Sequence, residues 1–287
     1  MDIQLNKNGW SLDIIGADVR TLTDDQIKQI APLITSNITV VLKDQPALTP
    51  SEYRLFAHKL GKVQNDHTSQ DIGEMYSLPD SEKEIIRVTG AKDDSGQVIG
   101  IFGQKEELIW HANECGRQDR PDVLCLYSIQ GSEGSITSYT NTQIAYQDLL
   151  KCEDAPEGLV EDLPYLVAHY DYGVNIDDVK NTLSVPNYKA RPGSYPVLLK
   201  NKSGKTGIYI SPKQRPLLFK NGVELDRKTK YKYVTFLYDF LTQEKYVYNH
   251  HWKDGEIVLN CQWHSLHKRN QFEAVEKRML WRIMINV

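Results

Sequence analysis

His111 and Asn113 stand two residues apart in Trp110-His111-Ala112-Asn113-Glu114, and on an extended segment their side chains project to one side, where they can converge on a single ion. A second imidazole, His267, follows a strand-like stretch that feeds a loop and returns a histidine, with His264 three residues before it. Imidazole is the commonest metal-ligating side chain, yet each histidine taken alone also reads as a hydrogen-bonded core or surface residue. The C-terminal segment 278–287 alternates: Met279, Trp281, Ile283, Ile285 and Val287 fall on one face, and Arg278 shares the other with Leu280, Arg282, Met284 and Asn286. Two guanidiniums therefore look the same way, roughly 13 Å apart at about 3.3 Å per residue. Guanidinium is a permanent cation whose planar fork matches carboxylate, so this pair suits anionic small molecules.

The elements that must position these groups are legible in part. Thr23 with Gln26 forms a capping box, and Ile27, Ile30, Leu33 and Ile34 recur at helical spacing, predicting a helix bent or ended near Pro32. Residues 38–42 are β-branched and short, a buried strand closed by the turn Lys43-Asp44-Gln45-Pro46. Thr49 with Glu52 is a second capping box, with Pro50 at the first helical position, Tyr53, Phe56, Ala57 and Leu60 on one face, and Gly61 as the stop. Further strands are expected at 85–89, 123–127, 135–139, 196–199, 207–211, 256–260 and 278–287, and helices at 143–150, 157–163 and 230–241. Strands dominate the second half and long polar stretches separate them, which disfavours a doubly wound parallel sheet and favours an antiparallel double-sheet barrel with flanking helices. No repeat or Gly/Ser/Pro-rich linker divides the chain, so residues 1–287 are read as one domain.

Composition narrows the function classes. Thirty-four Lys plus Arg against 38 Asp plus Glu leave a net charge of -4, without the basic excess that tracking a phosphate backbone demands, so nucleic acid is not an expected partner. Apolar runs are only a few residues long, far short of the roughly 20 needed to span a bilayer. The N-terminus lacks a basic and apolar leader, which predicts a cytoplasmic protein. Cys115, Cys125, Cys152 and Cys261 are scattered without CxxC spacing, so neither a disulfide framework nor a structural zinc site is expected.

Several separate blocks, in order, resemble the TauD/TfdA (taurine dioxygenase-like) family of iron(II)- and 2-oxoglutarate-dependent oxygenases nearly from end to end. They are Gly16-Ala17-Asp18-Val19; Val40-Val41-Leu42-Lys43-Asp44-Gln45 with Leu48-Thr49-Pro50 and Leu60-Gly61; Trp110-His111; Ser135-Ile136-Thr137 before Ile144-Ala145-Tyr146; Tyr195-Pro196-Val197 with Gly207–Pro212; and Trp252, Gly255, His267 and Arg278-Met279-Leu280-Trp281-Arg282. The resemblance implies a mainly β, α+β fold whose core is a double-stranded β-helix, or jelly roll, with flanking helices. It implies iron(II) as cofactor and 2-oxoglutarate as cosubstrate, with dioxygen and a small polar molecule as reactants, no nucleic acid or membrane partner, and a homo-oligomer left open. It assigns the metal to His111, His267 and the position of Asn113; 2-oxoglutarate to Arg278 with the Thr137 hydroxyl; an anionic substrate group to Arg282; and a substrate-facing place to His67. No catalytic residue is implied beyond the metal centre.

One departure bears directly on the chemistry. The family pattern is His-x-Asp or His-x-Glu, and here the third position is the neutral Asn113. The expected outcome is a hydroxylase in which Asn113 is a weak ligand. Alternatives are a swing of Glu114 into the site, against its strand direction; a halogenase with chloride in the place of the carboxylate, as in relatives with a small Gly or Ala there; and an inactive small-molecule-binding protein of the same fold. A milder departure is Asn260-Cys261-Gln262-Trp263 before the distal histidine, which makes His264 an alternative ligand. His250-His251 is expected at a strand end without a metal role.

Overall fold

The computed structural model describes residues 1–64, 76–78, 84–113, 115, 120–170 and 193–287. The larger sheet orders β1 (Asp2–Leu5), β2 (Leu12–Ile15), β3 (Thr39–Leu42), β16 (Ile257–Cys261), β7 (Val123–Gln130), β18 (Met279–Asn286) and β4 (Lys62–Val63), with β5 (Ile86–Val88) also paired to β18. A smaller sheet orders β15 (Val247–His251), β8 (Ile136–Thr140), β17 (His267–Arg269) and β6 (Leu108–His111). Outside these lie β10 (Gly193–Pro196), β9 (Leu166–Tyr170), β13 (Leu217–Lys220) and β14 (Val223–Glu224) in one sheet, and the hairpin of β11 (Leu198–Lys200) with β12 (Thr206–Ile208). β2 runs parallel to β3, and every other pairing between these described strands is antiparallel. The first two sheets form the jelly-roll sandwich.

Alternation along the strands assigns the faces. Trp281, Ile283 and Ile285 of β18 join the cluster of Ile27, Ile30, Ile34, Tyr53 and Phe56, so the outer face of the larger sheet is covered by α1 (Asp24–Asn37) and α2 (Pro50–Leu60). Leu280 and Met284 turn the other way, packing with Val41, Leu124, Leu126, Val258, Tyr139 and Trp252 between the sheets. The outer face of the smaller sheet buries Trp110, Ala112 and Leu266 against α3 (Thr142–Leu149), α4 (Leu159–Asp162) and α5 (Arg227–Leu241). No described helix is long and apolar enough to cross a membrane.

Both capping boxes close as expected: the Thr23 and Thr49 hydroxyls each accept the third-residue N–H, and the Gln26 and Glu52 side chains accept back from the cap N–H. Several expectations are corrected. α1 runs through Pro32 to Asn37, because the residues after the proline still bury Ile34 and Thr35 and the Ile38 N–H closes on Ile34 O. Gly61 does stop α2, as expected, in an extended conformation; glycine is required there because a Cβ would collide with the Asn286 carbonyl of the neighbouring strand. The single strand expected at 196–199 divides between β10 and β11, since Pro196 and Val197 turn the chain from one sheet to another. The strand expected over 207–211 stops at Ile208, and Ser211 instead starts a 3-10 turn, Pro212–Gln214.

Candidate metal and 2-oxoglutarate site

β6 and β17 pair so that His111 lies directly opposite His267, and β8 places Tyr139 on the other side of His267 in the same row. Direct partners in neighbouring strands share a face, so register alone brings residues 111, 139 and 267 together. The two imidazole centroids are 4.3 Å apart, and the Tyr139 ring is 6.3 Å from that of His267. Trp110 and Ala112 point to the outer cluster, which turns His111 toward the gap between the sheets; Asn113 follows two residues after the end of the strand, buried, in a turn.

The imidazoles are in the form a metal needs. His111 Nδ1 sits 2.7 Å from the Ile109 carbonyl, so it carries the proton and leaves Nε2 with a lone pair. Burial, with the charge of Lys213, pushes the His111 pKa down to about 4. His267 is held well below the ordinary histidine range, first by burial and then by His111, Arg282, Arg120 and Lys213, and its buried Nδ1 has no hydrogen-bond partner among the described residues. Both are therefore neutral at pH 7, as ligands must be. An orphaned ring nitrogen and two facing neutral imidazoles fit a transition-metal ion. The described residues assemble no group of three His, Cys, Asp or Glu side chains that could hold a metal ion.

A buried guanidinium, that of Arg278, bears on Tyr139. Arg278 is 2% exposed, donates from Nη1 to Ser135 Oγ at 2.9 Å, lies 5.7 Å from the Phe272 ring centroid, and leaves Nε without a partner. Burial, then the charge of Arg269, pushes its pKa down to about 9. A guanidinium in that state is poised to gain from an incoming carboxylate. Thr137, two residues before Tyr139 on β8, accepts a hydrogen bond from Trp252 Nε1 at 2.9 Å, which leaves its own hydroxyl proton to give. Arg269, opposite Thr137 in the register, instead spends its donors on the Phe102, Gln104 and Glu106 carbonyls and fixes that loop.

Arg282 is buried on the inner face of β18, pairs in register with Leu126, and bears electrostatically on both imidazoles. Thus His111, His267, Thr137, Arg278 and Arg282 face the gap between the two principal sheets, and Asn113 is buried two residues after His111. His67 and Glu114 lie outside the described residues. His264 is not a ligand: its Nδ1 is 2.7 Å from Gln143 Nε2 and its Nε2 is 2.9 Å from the Leu199 carbonyl, so both nitrogens are used. His250 ends up 3.2 Å from Glu256, away from the metal position.

Sequence reasoning missed Tyr139, Lys213 and Arg120. Tyr139 carried a usable signal, being two residues from Thr137 on one strand face. Lys213 reaches the imidazoles only through the 3-10 turn, and Arg120 only by stacking under Tyr209 and Trp263 at 4.2 and 5.1 Å; neither has a local sequence mark.

The model of the taurine catabolism dioxygenase TauD, TfdA family matches residues 5–284. Pentalenolactone F synthase of Streptomyces avermitilis is 24% identical over 289 residues, covering 94% of this chain and 89% of that protein. Among solved structures, a taurine dioxygenase from Burkholderia xenovorans superposes with a TM-score of 0.69 at 15% identity, over 96% of this chain and 85% of that one. AAD-2 in complex with Mn(II) and N-oxalylglycine gives a TM-score of 0.71 at 14% identity, over 99% and 96%.

Proposed function

The chain belongs to the taurine catabolism dioxygenase TauD, TfdA family and is an iron(II)- and 2-oxoglutarate-dependent oxygenase; from that premise we propose that it hydroxylates an unactivated C–H bond of a small, polar, anionic molecule and works as one domain. His111, His267 and the Asn113 amide oxygen would hold the metal, Arg278 with Thr137 the distal carboxylate of 2-oxoglutarate, and Arg282 an anionic group of the substrate. The observation that carries this reading is the in-register pairing of two neutral imidazoles beside a buried arginine that has an unfilled donor.

Bound iron(II) supplies the redox chemistry by which dioxygen is reduced as 2-oxoglutarate is decarboxylated to succinate. The protein's share is orientation and dryness. The Ile109 carbonyl fixes the His111 tautomer, Trp252 orients the Thr137 hydroxyl, and the apolar layer of Leu124, Leu126, Leu280 and Met284 excludes water from one side of the gap. Hydroxylation, not halogenation, is preferred because the amide of Asn113 fills more of the carboxylate's place than a Gly or Ala would.

Anaerobic addition of iron(II) and 2-oxoglutarate should give the weak visible charge-transfer band of that chelate. Arg278→Ala should weaken 2-oxoglutarate binding by about tenfold or more and leave metal affinity nearly intact, since it strands one half of a buried charge pair. A folded protein with no band at saturating metal would overturn the assignment; transfer of the effect to Arg282→Ala would exchange the two arginines' roles.

A further inference from the structure

The 3-10 turn Pro212–Gln214 is built onto the strand that carries His111. Ser211 donates its N–H to the Tyr170 hydroxyl at 2.9 Å and accepts the Ala112 N–H on Oγ at 3.0 Å, while Gln214 Nε2 donates to the Ala112 carbonyl at 3.4 Å. Both backbone groups of the residue between His111 and Asn113 are thus tied to this turn, and Lys213 is the residue carried between the two tethers. Its side chain is half-buried, no carboxylate among the described residues pairs with it, and its charge bears on both imidazoles. An ammonium is strongly hydrated, and placing one half-dry beside a cation site is unfavourable unless an anion joins them.

The charges of the proposed site sharpen the point. Iron(II) brings two positive charges; His111, His267 and Asn113 bring none. Arg278 balances one carboxylate of 2-oxoglutarate, so only the other opposes the metal, Arg282 and Lys213. We infer that Lys213 holds a small anionic group beside the imidazole pair, either a carboxylate of the substrate or a free inorganic monoanion, and so replaces by recruitment the negative charge that Asn113 does not provide. This rests on the oxygenase reading of the site and adds to it a side chain that sets which ligands enter.

The test uses the full chain with Mn(II), which binds without turning over, in the presence of 2-oxoglutarate. Mn(II) affinity is measured by electron paramagnetic resonance at constant ionic strength while chloride or acetate replaces perchlorate. In the native protein, acetate, chloride or both should tighten Mn(II) binding by about threefold or more, as expected for an added counter-charge at an effective dielectric near 20 or above. A response to chloride identifies a free inorganic anion as a source; a response to acetate alone identifies a carboxylate, hence the substrate. Lys213→Gln should tighten Mn(II) binding without added anion, because a repelling charge is gone, and should lose the anion response; Lys213→Arg should keep it. The inference is overturned if neither anion acts on the native protein, or if Lys213→Gln matches the native protein in both respects. Failure of Mn(II) and 2-oxoglutarate to bind the native protein at all would instead overturn the oxygenase reading of these residues.

Discussion

Asn113 is where a single atom type decides the chemistry. A carboxylate at that position would remove one positive charge from a metal site already facing Arg282 and Lys213. Asn113→Asp is isosteric, so its effect is electrostatic: iron(II) or Mn(II) affinity should rise by about tenfold or more, read by competition with a chelator. The products then separate the readings. A native hydroxylase forms succinate and oxygenated product with little dependence on chloride; a halogenase puts chlorine in its product and loses that in Asn113→Asp; an inactive protein forms no succinate. The sequence singled out His111, His267, Thr137, Arg278 and Arg282, which the strand registers bring to the inner faces of the two sheets. It did not make Lys213 visible, because that side chain arrives from a turn held by Ser211 and Gln214, and hydrogen bonds across 99 and 102 residues leave no periodic trace.

Among the elements, β15, β16 and the end of β3 meet at a buried charge cluster that shows why a histidine count overstates the metal chemistry. Glu256 Oε1 lies 2.9 Å from Lys43 Nζ, and its Oε2 lies 3.2 Å from His250 Nε2 and accepts the Lys253 N–H at 2.9 Å. Burial alone would raise the Glu256 carboxyl, but the hydrogen bonds with His250 and Lys43 outweigh it and hold the pKa at about 2, below the usual 4.5. A depressed carboxyl contributes stability that is complete above the ordinary value and is lost as pH falls through the folded one. Urea unfolding should therefore show a native advantage over Glu256→Gln, on the order of a few kcal/mol at pH 6, that shrinks between about pH 4.5 and pH 2. A constant difference across that window would place the stabilisation elsewhere. The capped start of α1 and both ends of α2 were legible nearly to the residue, whereas the end of α1 was not, because the helix runs on through Pro32. β9, β13 and β14 were not, because their short runs are stabilised by cross-strand partners, such as Leu218 opposite Ala168, more than by their own pattern.

For the whole molecule, the two sheets enclose a core whose centre is polar and incompletely paired, and ligands should complete it. With no carboxylate among the described residues against it, Arg278 costs the fold, since a guanidinium pushed down to about 9 is charged at pH 7 in a place that disfavours the charge. The layer around it, Tyr139, Trp252 and Phe272, is aromatic and can accept an apolar side chain. Arg278→Met should therefore raise the melting temperature of the ligand-free protein, by an amount corresponding to about 1–4 kcal/mol, because removing a buried charge together with its demand for a partner is often stabilising. The same change should abolish the stabilisation that 2-oxoglutarate gives the native protein in the presence of Mn(II). At a hundredfold excess over its dissociation constant that stabilisation is about 2.7 kcal/mol, or roughly 5 °C for a chain of this size. Differential scanning fluorimetry on both proteins, with and without Mn(II) and 2-oxoglutarate, reads the two effects in one experiment. If Arg278→Met lowers the ligand-free melting temperature and keeps the ligand shift, Arg278 is a structural cation satisfied by Ser135, and the carboxylate receptor lies elsewhere in the gap between the sheets.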